Sequence, residues 1–126
     1  MRTFVVLGAV NAFVAIACGA FGAHALAERL TPRLLDVWRT GAQYHLAHAL
    51  ALLLVALLSE RLIGAGAGRL VNATGWLFVA GIALFSGSLY LLAVTNRGWL
   101  GAITPLGGLC FLAGWALLAL AAVRSK

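Results

Sequence analysis

Apolar residues dominate this chain in four long runs, from about Thr3 to Gly22, Arg39 to Leu58, Ala73 to Val94 and Ile103 to Val123. Each run is close to the ~20 residues that cross a ~30 Å hydrocarbon core. Backbone polar groups must be paired inside a bilayer, so such runs form helices. The pattern predicts helices over about 3–24, 39–58, 73–94 and 103–123. The expected fold is all-α: a single integral membrane domain, residues 1–126, built as a bundle of four transmembrane helices.

The polar interruptions set the connections. In "LAERLTPRLLDVWRT", Leu26, Leu30, Leu34, Leu35 and Trp38 share an apolar stripe, with Glu28, Arg29, Arg33, Asp36 and Arg39 largely outside it. Thr31-Pro32 suits a helix start. A short amphipathic segment in the membrane interface is therefore expected between helices 1 and 2. "SERLIGAGAGRL" reads as a flexible loop, and "TNRGWLGA" as a tight interfacial turn with Trp99 as a belt aromatic. The first run, with Arg2 before it and "AHA" after it, imitates a secretion signal. Its apolar core exceeds the 7–15 residues usual there, so it reads as a retained helix.

Composition narrows the class. Hydrophobic residues make up 63% of the chain and charged residues 10%, against the ~25% a soluble surface requires. The net charge of +6 comes from Lys and Arg scattered singly at the ends of apolar runs, where side chains anchor to headgroups. No basic cluster with interleaved aromatics exists, which argues against a nucleic-acid partner. Arg2, Arg61, Arg69, Arg124 and Lys126 fall on the side of the termini, and Arg29, Arg33, Arg39 and Arg97 on the other. That bias favours cytoplasmic termini. Cys18 and Cys110 lie inside apolar runs and read as small buried hydrophobes.

Chain direction then places the unusual residues. His24 closes helix 1; Gln43, Tyr44, His45 and His48 open helix 2; Ser86, Ser88 and Tyr90 close helix 3; Thr104 and Pro105 open helix 4. All four stretches belong to one leaflet, and the other is nearly pure Leu, Ala and Val. Polar groups in hydrocarbon face the bundle interior or a wet cavity. His24, Tyr44, His48, Ser86, Ser88, Tyr90 and Thr104 thus form a candidate polar cluster. By helical spacing Gly41, Tyr44, His45, His48, Leu52 and Val55 share one face, and a bond between Tyr44 and His48, one turn apart, is feasible. Gly19, Gly22, Gly87, Gly107 and Gly108 are expected to let helices approach closely. Asn11, deep in helix 1, is expected to bond between helices.

Each feature also has a structural reading. His24, His45 and His48 lack a Cys or carboxylate at zinc-site spacing, and interhelical bonding outranks a metal or haem site. "TPLGG" has no phosphate-binding Lys; Thr104 as N-cap with Pro105 after it accounts for it. No catalytic constellation is visible, and neither cofactor nor enzyme activity is expected.

The ordered stretches "GAFGAHAL", "QYHLAHALALLL", "GIALFSGSLYLL" and "ITPLGGLCFLAGW" resemble the YgdD-like family of small membrane proteins, over about Leu7 to Leu120. That resemblance implies four membrane helices and no established activity. Its pattern matches Gly19, Gly22, His24, Tyr44, His48, Ser86, Gly87, Ser88, Tyr90, Thr104, Pro105, Gly107, Gly108 and Trp115, and departs at His45. The expected function is a binding or accessory module whose polar leaflet docks a lipid, a protein partner or another copy of itself as a homo-oligomer. The alternative is an oligomeric transporter or channel for a small solute or protons.

Overall fold

The computed structural model describes residues 1–125 of the 126. Four helices are long and apolar enough to span a membrane. Helix α1 is Arg2–His24, α2 is Pro32–Gly64, α3 is Gly68–Thr95, and α4 is Thr104–Arg124. A short 3₁₀ turn, Gly98–Ala102, leads into α4. Packing places α2 and α3 in the middle of the bundle, with α1 against α2 and α4 against α3.

Helix α2 departs most from expectation. It holds 33 residues, about 50 Å at 1.5 Å per residue, well beyond one membrane thickness. Thr31 caps it, its hydroxyl accepting from the Leu34 N–H at 3.3 Å, and Pro32 occupies the first turn. No break follows, so the second half of the amphipathic stretch expected as a separate interfacial segment is the first two turns of α2, and its first half, Leu26 to Thr31, is the turn that leads into it. Its stripe packs inward: Leu26, Leu35 and Trp38 bury with Ala93 of α3, and Leu30 and Tyr90 lie against them. The far end of α2 absorbs half of the expected second loop and the start of α3 takes its last three residues, leaving Ala65–Ala67, where Gly66 turns the chain with φ of 85°.

Helix α3 contains one π turn, Ile82–Ser86, in which the Gly87 N–H reaches back to the Ile82 carbonyl. It ends at Asn96, left-handed at φ 51°, whose side-chain carbonyl accepts from Arg33 at 3.1 Å. That bond ties the start of α2 to the α3–α4 turn. The main core, with Phe4, Leu52, Val55, Val71, Phe78 and Phe111, joins all four helices.

Glycines make this packing close, though not always the expected ones. A Cβ at Gly107 would run into the backbone of Phe85, so α3 and α4 touch main chain to main chain there. Gly22 receives the Trp38 ring, and Gly75 and Gly81 receive Phe4 and Phe111. Gly108 makes only ordinary contact with Phe85 at 3.9 Å. Gly19 has nothing within 4 Å, and Gly87 only a carbonyl at 4.0 Å, so neither is a close-packing glycine within the chain. The close approach expected at both is absent because Gly19, with Ala23 one turn later, and Ala83, one turn before Gly87, lie on exposed faces.

Candidate functional site

The polar residues separate into three groups. The first joins α1, α2 and α3. Asn11 Nδ2 donates to the Leu7 carbonyl at 2.8 Å, which turns its Oδ1 toward His45. His45 Nε2 lies 3.0 Å from that oxygen and Nδ1 lies 3.0 Å from the Tyr90 hydroxyl. An amide oxygen only accepts, so Nε2 carries the proton and Tyr90 O–H donates to Nδ1. The result is a one-way chain of hydrogen bonds: Tyr90 to His45, His45 to Asn11, Asn11 to the backbone. Trp38 packs against Tyr90 with the rings tilted at 45° and their centroids 4.6 Å apart, and donates its indole N–H to the Cys18 carbonyl at 2.8 Å.

The second group joins α2 and α4. His48 Nδ1 is 2.8 Å from the Tyr44 carbonyl one turn earlier, and Nε2 receives the Trp115 indole N–H at 3.1 Å. A carbonyl and an indole N–H fix the opposite tautomer from His45, with the proton on Nδ1. The anticipated bond between Tyr44 and His48 is therefore to the Tyr44 backbone. The His48 ring lies flat on Phe111, centroids 3.4 Å apart and planes at 9°, with Phe78 edge-on.

The third group closes the α3–α4 turn. Ser88 Oγ donates to the Phe85 carbonyl at 2.9 Å and meets Thr104 Oγ1 at 2.6 Å. Thr104 does not act as N-cap, as expected from its place before Pro105; it already lies in the helix, Ile103 is the cap, and its hydroxyl is spent on Ser88. Ser86, at the end of the π turn, is fully buried, and among the described residues its hydroxyl has no hydrogen-bond partner. Removing such a group abolishes an uncompensated desolvation cost. Ser86→Ala is thus expected to leave stability unchanged or raise it by about 1 kcal/mol in detergent unfolding. A clear loss of stability would reveal a partner on that hydroxyl.

His24 belongs to none of these groups. It is exposed at the end of α1 and makes no side-chain hydrogen bond among the described residues. Chain direction fixed which end of α1 it occupies but not which face. His45 takes the central place instead, and helical spacing on α2 had put it on the buried face with Gly41 and His48. With His24 apart and both ring nitrogens of His45 and His48 engaged, the three histidines do not converge as ligands. The terminal-side half is not wholly apolar either: Thr74 and Ser59 are fully buried there, each bonded to a backbone carbonyl of its own helix.

Beside the second group, a groove of about 520 Å³ opens on the bundle surface. Tyr44, His48, Phe85 and Phe111 line it together with Pro105, Gly108, Leu109, Leu112 and Trp115 of α4. It follows α4 from its first turn to Trp115, ten residues or about 15 Å, half of a bilayer core. No charged residue lines it. Binding pockets of this size are lined mainly by apolar and aromatic groups with a few polar tips.

Four apolar spanning helices with buried, internally bonded polar groups define an integral membrane protein of the all-α bundle class. Residues 18–108 match the family described as a protein of unknown function (DUF423), and the chain belongs to that family. The UPF0382 membrane protein YwdK of Bacillus subtilis (strain 168) is 52% identical over 124 residues, 98% of each chain. A UPF0382 membrane protein of Staphylococcus epidermidis (strain ATCC 12228 / FDA PCI 1200) is 43% identical over 125 residues, again 98% of each. One from Staphylococcus aureus (strain USA300) is 44% identical over 125 residues with the same coverage. No solved structure matches the chain. The resemblance to a membrane family of unknown function thus holds at that level.

Proposed function

We propose that the protein is a non-enzymatic lipid-binding module of the bacterial inner membrane, and that the aromatic groove on α2, α3 and α4 holds a hydrocarbon chain. The groove carries this reading. It opens sideways toward the surrounding lipid, and its rim residues Leu109 and Leu112 are 61% and 69% exposed. Its wall is held in place by the stack of His48 on Phe111 and the bond from Trp115. The expected docking surface thereby moves from the polar cluster to the groove beside it, because the cluster's polar groups are largely bonded to one another.

The transport alternative has less support. The hydrogen-bond chain from Tyr90 ends on an amide and a backbone carbonyl, neither of which relays protons at neutral pH. The excess of Lys and Arg on the side of the termini favours a cytoplasmic location for both ends. We take the YgdD-like pattern to denote this same family, since its four motif cores, from Gly19 to Gly108, all lie within the matched residues.

The test is photo-crosslinking with a phospholipid that carries a diazirine on its acyl chain, in proteoliposomes. Labelling is expected to concentrate on Leu109, Leu112 and Trp115, and to fall about fivefold in Gly108→Leu, which fills the groove. Equal labelling of outward residues such as Phe13 and Leu57, insensitive to Gly108→Leu, would overturn the reading. Cross-links between two copies in place of lipid would assign the groove to self-association instead.

A further inference from the structure

A second cavity lies at the opposite end of the bundle, on the side of the termini. It measures about 390 Å³ and is lined by Ala65, Gly66, Ala67, Arg69, Leu70 and Arg124. The two arginines come from elements far apart in sequence, the first turn of α3 and the last residue of α4, and converge on one concavity. Both are exposed, and among the described residues neither has a carboxylate within ion-pair distance; the ion pair present there is Arg39 with Asp36, elsewhere. Among the described residues, the two guanidinium groups therefore stand without an acidic partner.

Position narrows the ligand. Arg69 and Arg124 each flank an apolar span, so the cavity sits at headgroup depth. Its remaining lining residues are small or apolar, which leaves room for a bulky group beside the two arginines. Guanidinium forks pair bidentately with phosphate oxygens, which a compact ammonium does less well.

We propose that this cavity binds the phosphate of an anionic phospholipid headgroup, with Arg69 and Arg124 as its two clamps. The site is independent of the groove: it lies at the other membrane face and shares no residue with it.

The experiment uses the full chain in mild detergent, with native mass spectrometry counting retained phosphatidylglycerol against phosphatidylcholine. Wild type is expected to retain phosphatidylglycerol preferentially. Arg69→Gln and Arg124→Gln are each expected to weaken that retention about fivefold, the equivalent of roughly 1 kcal/mol per basic residue at a membrane surface. The double variant is expected to lose the preference, while Arg69→Lys keeps part of it and Arg97→Gln, at the opposite face, keeps all of it. Gly108→Leu is expected to leave headgroup preference intact, so failure of the groove would not mimic failure here. Equal retention by wild type and the double variant would overturn the proposal. So would phosphorus NMR in which inorganic phosphate binds wild type, but not the double variant, with no discrimination between the two lipids; the ligand would then be free phosphate.

Discussion

His45→Ala is expected to lower unfolding free energy by about 2–4 kcal/mol, among the largest effects of any single side chain here. His45 is 4% exposed and bonds to two helices at once. Its loss leaves the Tyr90 hydroxyl and Asn11 carbonyl unpaired in hydrocarbon, at about 1–3 kcal/mol for each buried orphan. Interhelical bonds in membranes average nearer 0.6 kcal/mol, because the unfolded chain also finds partners, which keeps the total from rising higher. The measurement is reversible unfolding in mixed detergent micelles, followed by circular dichroism. Removing all three partners together, as Asn11→Leu, His45→Leu and Tyr90→Phe, is expected to recover much of the loss, since no polar group is then stranded. A drop below about 0.5 kcal/mol for His45→Ala would mean that the chain of bonds contributes little.

Gly107→Leu is expected to destabilise by about 3 kcal/mol or more, by a different route. The backbone of Phe85 occupies the space a side chain would need, and main chain cannot rotate aside as a side chain does. Helices α3 and α4 would have to separate, opening the Ser88–Thr104 contact and the seat of Phe85 beside the groove. Gly19→Leu supplies the control: with nothing within 4 Å, it is expected to leave the stability of the monomer unchanged. Comparable losses for both variants in the same unfolding assay would contradict the packing described for α4.

Hydropathy made the four helices legible, because lipid demands long apolar runs and forbids unpaired backbone. The same signal failed at the ends of α2. Pro32 to Arg39 and Glu60 to Gly64 are polar enough to read as connections, yet they continue the helix because nothing in them breaks it. Residue faces were half legible. Spacing of 3.6 put Gly41, Tyr44, His45 and His48 on one face; Gly41 and the two histidines are buried but Tyr44 is exposed, and spacing cannot say which neighbouring helix each will meet. His45 and His48, one turn apart, consequently serve different interfaces, the first toward α1 and α3 and the second toward α4. His24 and Gly19 misled for the same reason, since being at the right end of a helix does not put a residue on its inner face. The groove was invisible in the sequence because it arises from Tyr44 and His48 meeting α4 some sixty residues later.

The length of α2 bears on where the protein can reside. Between Arg39 and Glu60 the chain carries no charge from Thr40 to Ser59, twenty residues or about 30 Å of helix. The uncharged stretches of the other three helices are longer, from Thr3 to Ala27, Leu70 to Asn96 and Gly98 to Val123. Bilayer thickness is therefore gauged by α2 alone. A thinner membrane is met by tilt or by wetting a turn, at fractions of a kcal/mol per Å, whereas a thicker one must submerge Arg39 or Glu60 or pinch inward around them. The molecule carries its own ruler, set near the thickness of an ordinary bilayer.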